Sequence, residues 1–473
     1  MPEISVDILF APVRAQAALI KDGKLSPVAL TETYLDRLEK IGPLLNAVVT
    51  VTRDLALKEA KAAEAEISAG KYRGLLHGIP YGVKDLLATK GIPTTWGAEP
   101  FRKQVFDYDA TVVTKLRAAG AVLCAKLAMV ELAGAFGYGN ADASFTGPGK
   151  TPWNRDFWSG GSSAGSAASV AAGLVSFAIG SETSGSIITP AAYCGVSGLR
   201  PTYGRVSRHG AMALCWTLDK LGPMARSADC CGLVLAAMAG KDPSDPSSVA
   251  KTFAYPEAAP ANGKKYRVGV LKGSRTGVQK EVRENFEASL KVLSNFCDLV
   301  EDVELPKLPF GPVIGTIVNA EGASAFRDLL ESGKASELRA ANDKWGGYPG
   351  LLLPAVDYLH AMRARGPMKR AKDKLYAKFD AIVNPSRSTV ANPIDKDFAA
   401  SYPGFGGGGT EVIPAGNAVG QPALSVPNGF GQNNLPTGLQ FTGKAWSEAK
   451  LLTLAAEYQK ATDWHTKRPH FAA

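Results

Sequence analysis

The sequence predicts an α/β fold, a β-sheet covered by helices on both faces, and three observations point to it. Short runs such as Ala121-Val122-Leu123-Cys124-Ala125 are apolar without strict alternation, as strands buried on both sides are. Longer segments with apolar residues at helical spacing alternate with these runs along the chain. Glycine, 50 of 473 residues, gathers partly in turns, where it allows tight connections. Length alone suggests about three domains. Large α/β proteins exceed that prior routinely, so residues 1–473 are read as one domain.

In chain order, Ser26-Pro27 starts the first strong helix: the serine caps it and proline suits its first turn. Val28, Leu30, Tyr34, Leu35 and Leu38 give that helix an apolar face, and an alanine- and charge-rich helix follows over Leu55–Ile67. Ile79-Pro80-Tyr81-Gly82-Val83 brings Lys84 into a short extended or turn segment. Thr111–Ala119 reads as a helix ended by Gly120, then come the buried strand at Ala121–Ala125 and a short helix at Met129–Phe136. Ala164–Ala172 is a small-residue helix, and Val175–Ile179 a central strand running into the loop at Ser186. Pro, Ser, Ala and Asp dominate about residues 240–265, a surface linker. A strand at Tyr266–Leu271, a helix at Val282–Phe296, helices over 310–375 and a strand at Phe379–Pro385 complete the pass. Gly406-Gly407-Gly408-Gly409 is a loop; it lacks the G-K-[ST] ending of a phosphate cradle.

Composition excludes several function classes. The formal charge of +9 is spread thinly, without clustered basic residues or a nucleic-acid motif, so no nucleic-acid partner is expected. The five histidines have no ligand spacing, and no metal or other cofactor is expected. The six cysteines lack a C-x-x-C pair and read as buried reduced thiols. No stretch is apolar for about 18 residues, and the N-terminus lacks the basic start of a signal peptide, so the expectation is a cytoplasmic chain off the membrane.

The chemistry concentrates in two serines and one lysine: Ser162 in Gly160-Gly161-Ser162-Ser163-Ala164-Gly165, Ser186 in Glu182-Thr183-Ser184-Gly185-Ser186, and Lys84 in Tyr81-Gly82-Val83-Lys84-Asp85. A serine hydroxyl is a poor nucleophile until a base takes its proton. A lysine approached through Ile79–Val83 is read as buried, and desolvation makes a buried lysine such a base. Glycines beside Ser186 let backbone N–H groups face a developing oxyanion. Asp85 reads as a structural hydrogen-bond partner.

At these residues the chain resembles the amidase signature family, whose triad is Ser, cis-Ser and Lys. The likeness runs in order through Ser159–Ser166, Gly180–Ser186, Pro190–Gly195 and Gly198–Gly204. It extends to Gly78–Asp85, Leu221–Met224, Gly420–Pro427 and Leu435–Gln440, and is weakest over about 240–375. The resemblance implies a large mixed central sheet with helices on both faces. It implies Ser186 as nucleophile, Ser162 as the relay after a cis peptide, Lys84 as base, and an oxyanion hole from the N–H groups of Thr183, Ser184, Gly185 and Ser186. Residues 310–375 match the region that varies in the family, which makes them a candidate substrate cap. Phe136, Gly137, Tyr138 and Asn140, on a glycine-flanked loop, and Ile188 are candidate pocket residues. Two departures stand out. Glu182 and Ser184 replace the frequent Asp and Gly, and Ile188 stands where the family often has Arg, which argues against an acidic substrate held there.

The implied activity is cleavage of an uncharged C–N acyl bond through an acyl-enzyme, with neutral aryl or alkyl amides first and carbamates second. The reading from another class is the amidase subunit of a tRNA-dependent amidotransferase; a non-catalytic binding protein is disfavoured by the intact serines and lysine. A homodimer is a possible assembly. Two other motifs compete. Gly161-Ser162-Ser163-Ala164-Gly165 fits a G-x-S-x-G elbow centred on Ser163, but that leaves the second serine and the lysine unexplained. Ser447-Glu448-Ala449-Lys450 fits S-x-x-K but sits in a helix with ordinary apolar spacing.

Overall fold

The apolar runs pair into one mixed sheet in the computed structural model, which describes residues 4–257 and 265–470. The strands are β1 (Val48–Val51), β2 (Pro80–Lys84), β3 (Val122–Leu127), β4 (Lys150–Thr151), β5 (Asn154–Trp158), β6 (Phe177–Glu182), β7 (Ser197–Arg200), β8 (Lys220–Ala225), β9 (Tyr266–Leu271), β10 (Cys297–Val303), β11 (Ala381–Pro385), β12 (Ala423–Phe430) and β13 (Pro436–Thr442). Eleven of them form the sheet in the order β1-β3-β2-β6-β8-β7-β12-β13-β11-β9-β10, and β4 with β5 makes a separate hairpin. β2 runs parallel to both its neighbours, β3 and β6, whereas β8 runs antiparallel to β6 and β7. One sheet edge, β10, exposes Asp298, Glu301 and Asp302, charges that discourage pairing with another chain.

Alternation along the strands feeds two apolar layers. Tyr81, Val83, Leu123, Phe177 and Ile179 point into one, with Val112 and Leu116 of the helix Thr111–Ala118 and Val234 and Leu235 of the helix Ala228–Met238. Val122, Cys124, Leu127 and Ala178 point into the other, with Leu35 and Leu38 of Pro27–Ile41 and Ala167, Ala168 and Val170 of Ala164–Ala171. Ser26 caps the helix Pro27–Ile41 as its sequence predicts, accepting the Ala29 N–H at 3.1 Å.

One expectation needs correction. Met129–Phe136 is not an α-helix: Glu131–Gly134 makes a short 3₁₀ turn in which Leu132 and Ala133 take positive φ. Residues 240–257 are irregular and mostly exposed, with two carboxylates tying them to the body. Asp242 accepts the Ser207 hydroxyl at 2.6 Å, and Asp245 accepts the Arg208 N–H at 2.7 Å. The rest of that expected linker, 258–264, lies outside the described residues. Region 310–375 is helical, chiefly Phe310–Ala325 and Ala355–Tyr376. All six cysteines are buried and free.

Candidate active site

Lys84 ends β2 in the middle of the sheet, on the face opposite Val83, and is fully buried. Gly82 clears its approach: a Cβ there would come within 2.6 Å of the Leu127 side chain. Ser162 precedes the helix Ala164–Ala171, after a cis Gly161–Ser162 peptide, and its carbonyl accepts the Val130 N–H at 3.1 Å. These two residues, 78 apart in sequence, meet: Lys84 Nζ lies 2.7 Å from Ser162 Oγ. Nζ also lies 2.9 Å from Ser181 Oγ on β6, a contact the sequence reading missed. Burial pulls the lysine down to about 7, against Asp219 and Glu182, which favour its charged form.

Ser186 sits beside this pair. Its carbonyl accepts the Ser163 N–H at 3.2 Å, while its hydroxyl has no hydrogen-bond partner among the described residues. Ser163 itself is occupied structurally, donating to the Ser181 carbonyl at 3.1 Å and accepting the Ser181 N–H at 3.2 Å. No histidine partners it, which removes the elbow reading. Ser447 donates to the Lys444 carbonyl and Lys450 pairs with Asp380, so that S-x-x-K match is surface structure.

The loop Thr183–Ser186 is left with unused donors. None of its four backbone N–H groups donates to another described residue, and Gly185 has φ +97°. The loop is braced from below. The Thr183 hydroxyl donates to Asp219 at 2.6 Å, and Lys220 Nζ, pulled down to about 7 by burial, reaches the Thr183 carbonyl at 3.4 Å. Glu182 fixes the far end: one carboxylate oxygen accepts the N–H groups of Ile187 and Ile188 at 2.9 and 3.1 Å. The other accepts Arg200 at 2.8 Å and Asn417 at 3.0 Å. Burial pushes Glu182 up, but the Arg200 and Lys220 charges outweigh it and hold the carboxyl at about 2. The glutamate departure therefore keeps a bracing anion.

Ser186 and Ser184 open into a cavity of about 330 Å³, walled also by Tyr138, Trp158, Tyr193 and Arg387. Tyr138 is the one pocket candidate that lines it, edge-on to Trp158 at 5.9 Å. The others fall outside its wall. Phe136 packs edge-on against Phe326 at 5.8 Å, Gly137 faces open space, and the Asn140 side-chain Oδ1 accepts the Asp142 N–H at 3.1 Å. Ile188 is buried with Leu271, Ile382, Val412 and Ile413, so it belongs to the core. A second cavity, about 180 Å³, touches Ser181, Thr183 and Asp219 and shares no lining residue with the first. Asp85 is structural as expected, accepting the Thr95 N–H at 2.9 Å and pairing with Lys126 at 3.1 Å. Among the described residues no cluster of metal-ligating side chains occurs, and no helix is long and apolar enough to cross a membrane.

The site thus sets a buried amine against one serine, with a second serine at a mouth of free N–H groups. The sequence model described as Amidase matches residues 29–452. The chain belongs to that family of amidase signature enzymes, which act on C–N amide bonds. It is 37% identical to a subunit of the glutamyl-tRNA(Gln) amidotransferase of Acinetobacter baumannii, over 97% of this chain and 98% of that one. The native peptide amidase of Stenotrophomonas maltophilia superposes with a TM-score of 0.83 at 31% identity, covering 98% of this chain and 99% of the other. A chain from a structure described as a vestigial protein complex that reveals the evolutionary origins of an s-triazine catabolic enzyme superposes with a TM-score of 0.86 at 28% identity, over 96% and 99% of the two chains.

Proposed function

We propose that the protein hydrolyses amides through an acyl-enzyme on Ser186, with Ser162 as proton relay and Lys84 as base. The observation that carries this is the 2.7 Å contact between the buried Lys84 amine and Ser162 Oγ, beside a serine that opens into a pocket. Neutral Lys84 takes the Ser162 proton while Ser162 takes that of Ser186, whose oxygen attacks the carbonyl carbon. The second link of this relay is a Ser186 O–H donated to Ser162 Oγ in the substrate complex. The N–H groups of Thr183, Ser184, Gly185 and Ser186 receive the oxyanion, each well-placed donor contributing about 3 kcal/mol. Collapse breaks the C–N bond as the relay returns the proton to the leaving amine. Water, deprotonated along the same path, then splits the ester and restores Ser186.

The similar proteins favour a particular setting for this chemistry. Their names support an amide-cleaving component of an amidotransferase assembly more directly than a free-standing enzyme for neutral aryl or alkyl amides. The likeness to a chain from a structure described as a vestigial protein complex also supports a protein partner.

The test is a screen of acyl anilides, primary amides and aryl carbamates, with labelling by a fluorophosphonate. Turnover and labelling that both vanish in Ser186→Ala are expected; unlabelled wild type with no turnover of any class overturns the reading. Robust activity of the purified chain alone speaks for a free-standing enzyme, and obligatory co-purification with a partner for the assembly component.

A further inference from the structure

The cavity beside Ser186 holds a guanidinium with nothing to bind. Arg387 lies two residues beyond β11 and lines the cavity with Ser184, Ser186 and Thr189. Its Nε is buried without a hydrogen-bond partner, and the side chain makes no ion pair among the described residues. No Asp or Glu lines the same wall; the polar groups there are hydroxyls and the Asn392 amide. Asp343, whose field reaches the Tyr138 hydroxyl, is pushed up to about 10 by burial beside Glu131 and so is neutral near pH 7. A buried polar atom left unpaired costs stability, and one at a pocket wall acquires its partner from the ligand. Guanidinium presents two parallel N–H groups that match a carboxylate.

We propose that Arg387 is the specificity-determining residue of this site, and that its substrates are amides carrying a carboxylate in the same molecule. This rests on the proposed acyl-enzyme reading. It also replaces the sequence-based expectation of neutral substrates, which followed from the isoleucine at position 188: the cation enters from the segment after β11.

The test pairs each acid with a neutral isostere in which a methyl ketone replaces the carboxylate. Glutaryl 4-nitroanilide against 5-oxohexanoyl 4-nitroanilide places the charge on the acyl side; 4-acetamidobenzoate against 4-acetamidoacetophenone places it on the leaving amine. One pair is expected to show kcat/KM about 10- to 100-fold higher for the acid. That ratio is expected to collapse to about one or below in Arg387→Met and to recover in part in Arg387→Lys. A wild-type ratio near one for both pairs overturns the assignment, as does a ratio that survives Arg387→Met. Calorimetric binding of the same compounds to Ser186→Ala protein gives the comparison without turnover and without altering Arg387. Cleavage of none of the four compounds, together with acid-selective binding, locates the failure in the acyl-enzyme reading. Cleavage without acid preference locates it in Arg387.

Discussion

Raising the pH from 6 to 8 is expected to increase kcat/KM about tenfold, because the proposed mechanism needs Lys84 neutral. Burial holds this amine at about 7. A base of that strength is about 9% neutral at pH 6 and about 91% neutral at pH 8. The assay is the initial rate of nitroanilide cleavage at constant ionic strength, with added viscogen to establish that chemistry limits. Lys220 and Lys372 are also pulled to about 7 by burial, so Lys220→Met and Lys372→Met are each expected to keep an inflection near that pH. The same shift has a stability consequence. The lysine falls from its ordinary 10.5 to about 7 on folding, so between those values the unfolded chain binds more protons and stability rises with pH. At pH 7 the burden of the buried amine is at most about 4 kcal/mol. Lys84→Met removes that burden but strands the hydroxyls of Ser162 and Ser181, at about 1–3 kcal/mol each. The variant is therefore expected to fold with near wild-type stability and to lose at least about 10³-fold in kcat/KM. A flat profile from pH 6 to 9 with chemistry limiting, or turnover surviving Lys84→Met, refutes the reasoning.

Glu182→Gln breaks a fully buried pair with Arg200 and is expected to cost about 3–5 kcal/mol in a denaturant melt, with kcat falling more than KM rises. In the wild type, the Glu182 contribution is present above its ordinary 4.5 and fades as pH falls toward about 2, which acid melts of wild type against variant will read. Gly185→Ala places a Cβ where φ is +97°, and a loss of about 10²-fold in kcat with little change in melting temperature is expected. Ile188→Arg, which restores the residue frequent in the family, buries an unpaired charge among Leu271, Ile382 and Ile413. It is expected to lower stability by at least about 3 kcal/mol and to leave the acid-to-neutral substrate ratio unimproved.

The parts legible in the sequence were those written in local chemistry. Ser26-Pro27 announces a helix start, and the apolar approach to Lys84 announces its burial; both hold, the segment being the extended one of the two forms it allowed. Met129–Phe136 misled because its apolar spacing is helical, whereas Glu131 instead accepts the N–H groups of Arg339 and Ala340, more than 200 residues away. Ser181 gave no signal of its own: one serine in a strand looks like any other until the parallel pairing of β2 and β6 sets it beside Lys84. Arg387 was equally silent, a single cation after a strand, with nothing nearby in the sequence to say that it faces Ser186. Ile188 was judged by what the family often places there, and the burial of its side chain is a tertiary fact.

Lys84, Ser162 and Ser186 all come from the first 186 residues, whereas Arg387, Ser388, Asn392 and Phe398 bring the opposite wall from a stretch two hundred residues later. On the proposed reading, cutting and selecting are therefore carried by separate stretches of the chain. Grafting the segment 387–405 from one relative onto another would exchange what is admitted while leaving untouched how the bond is cut.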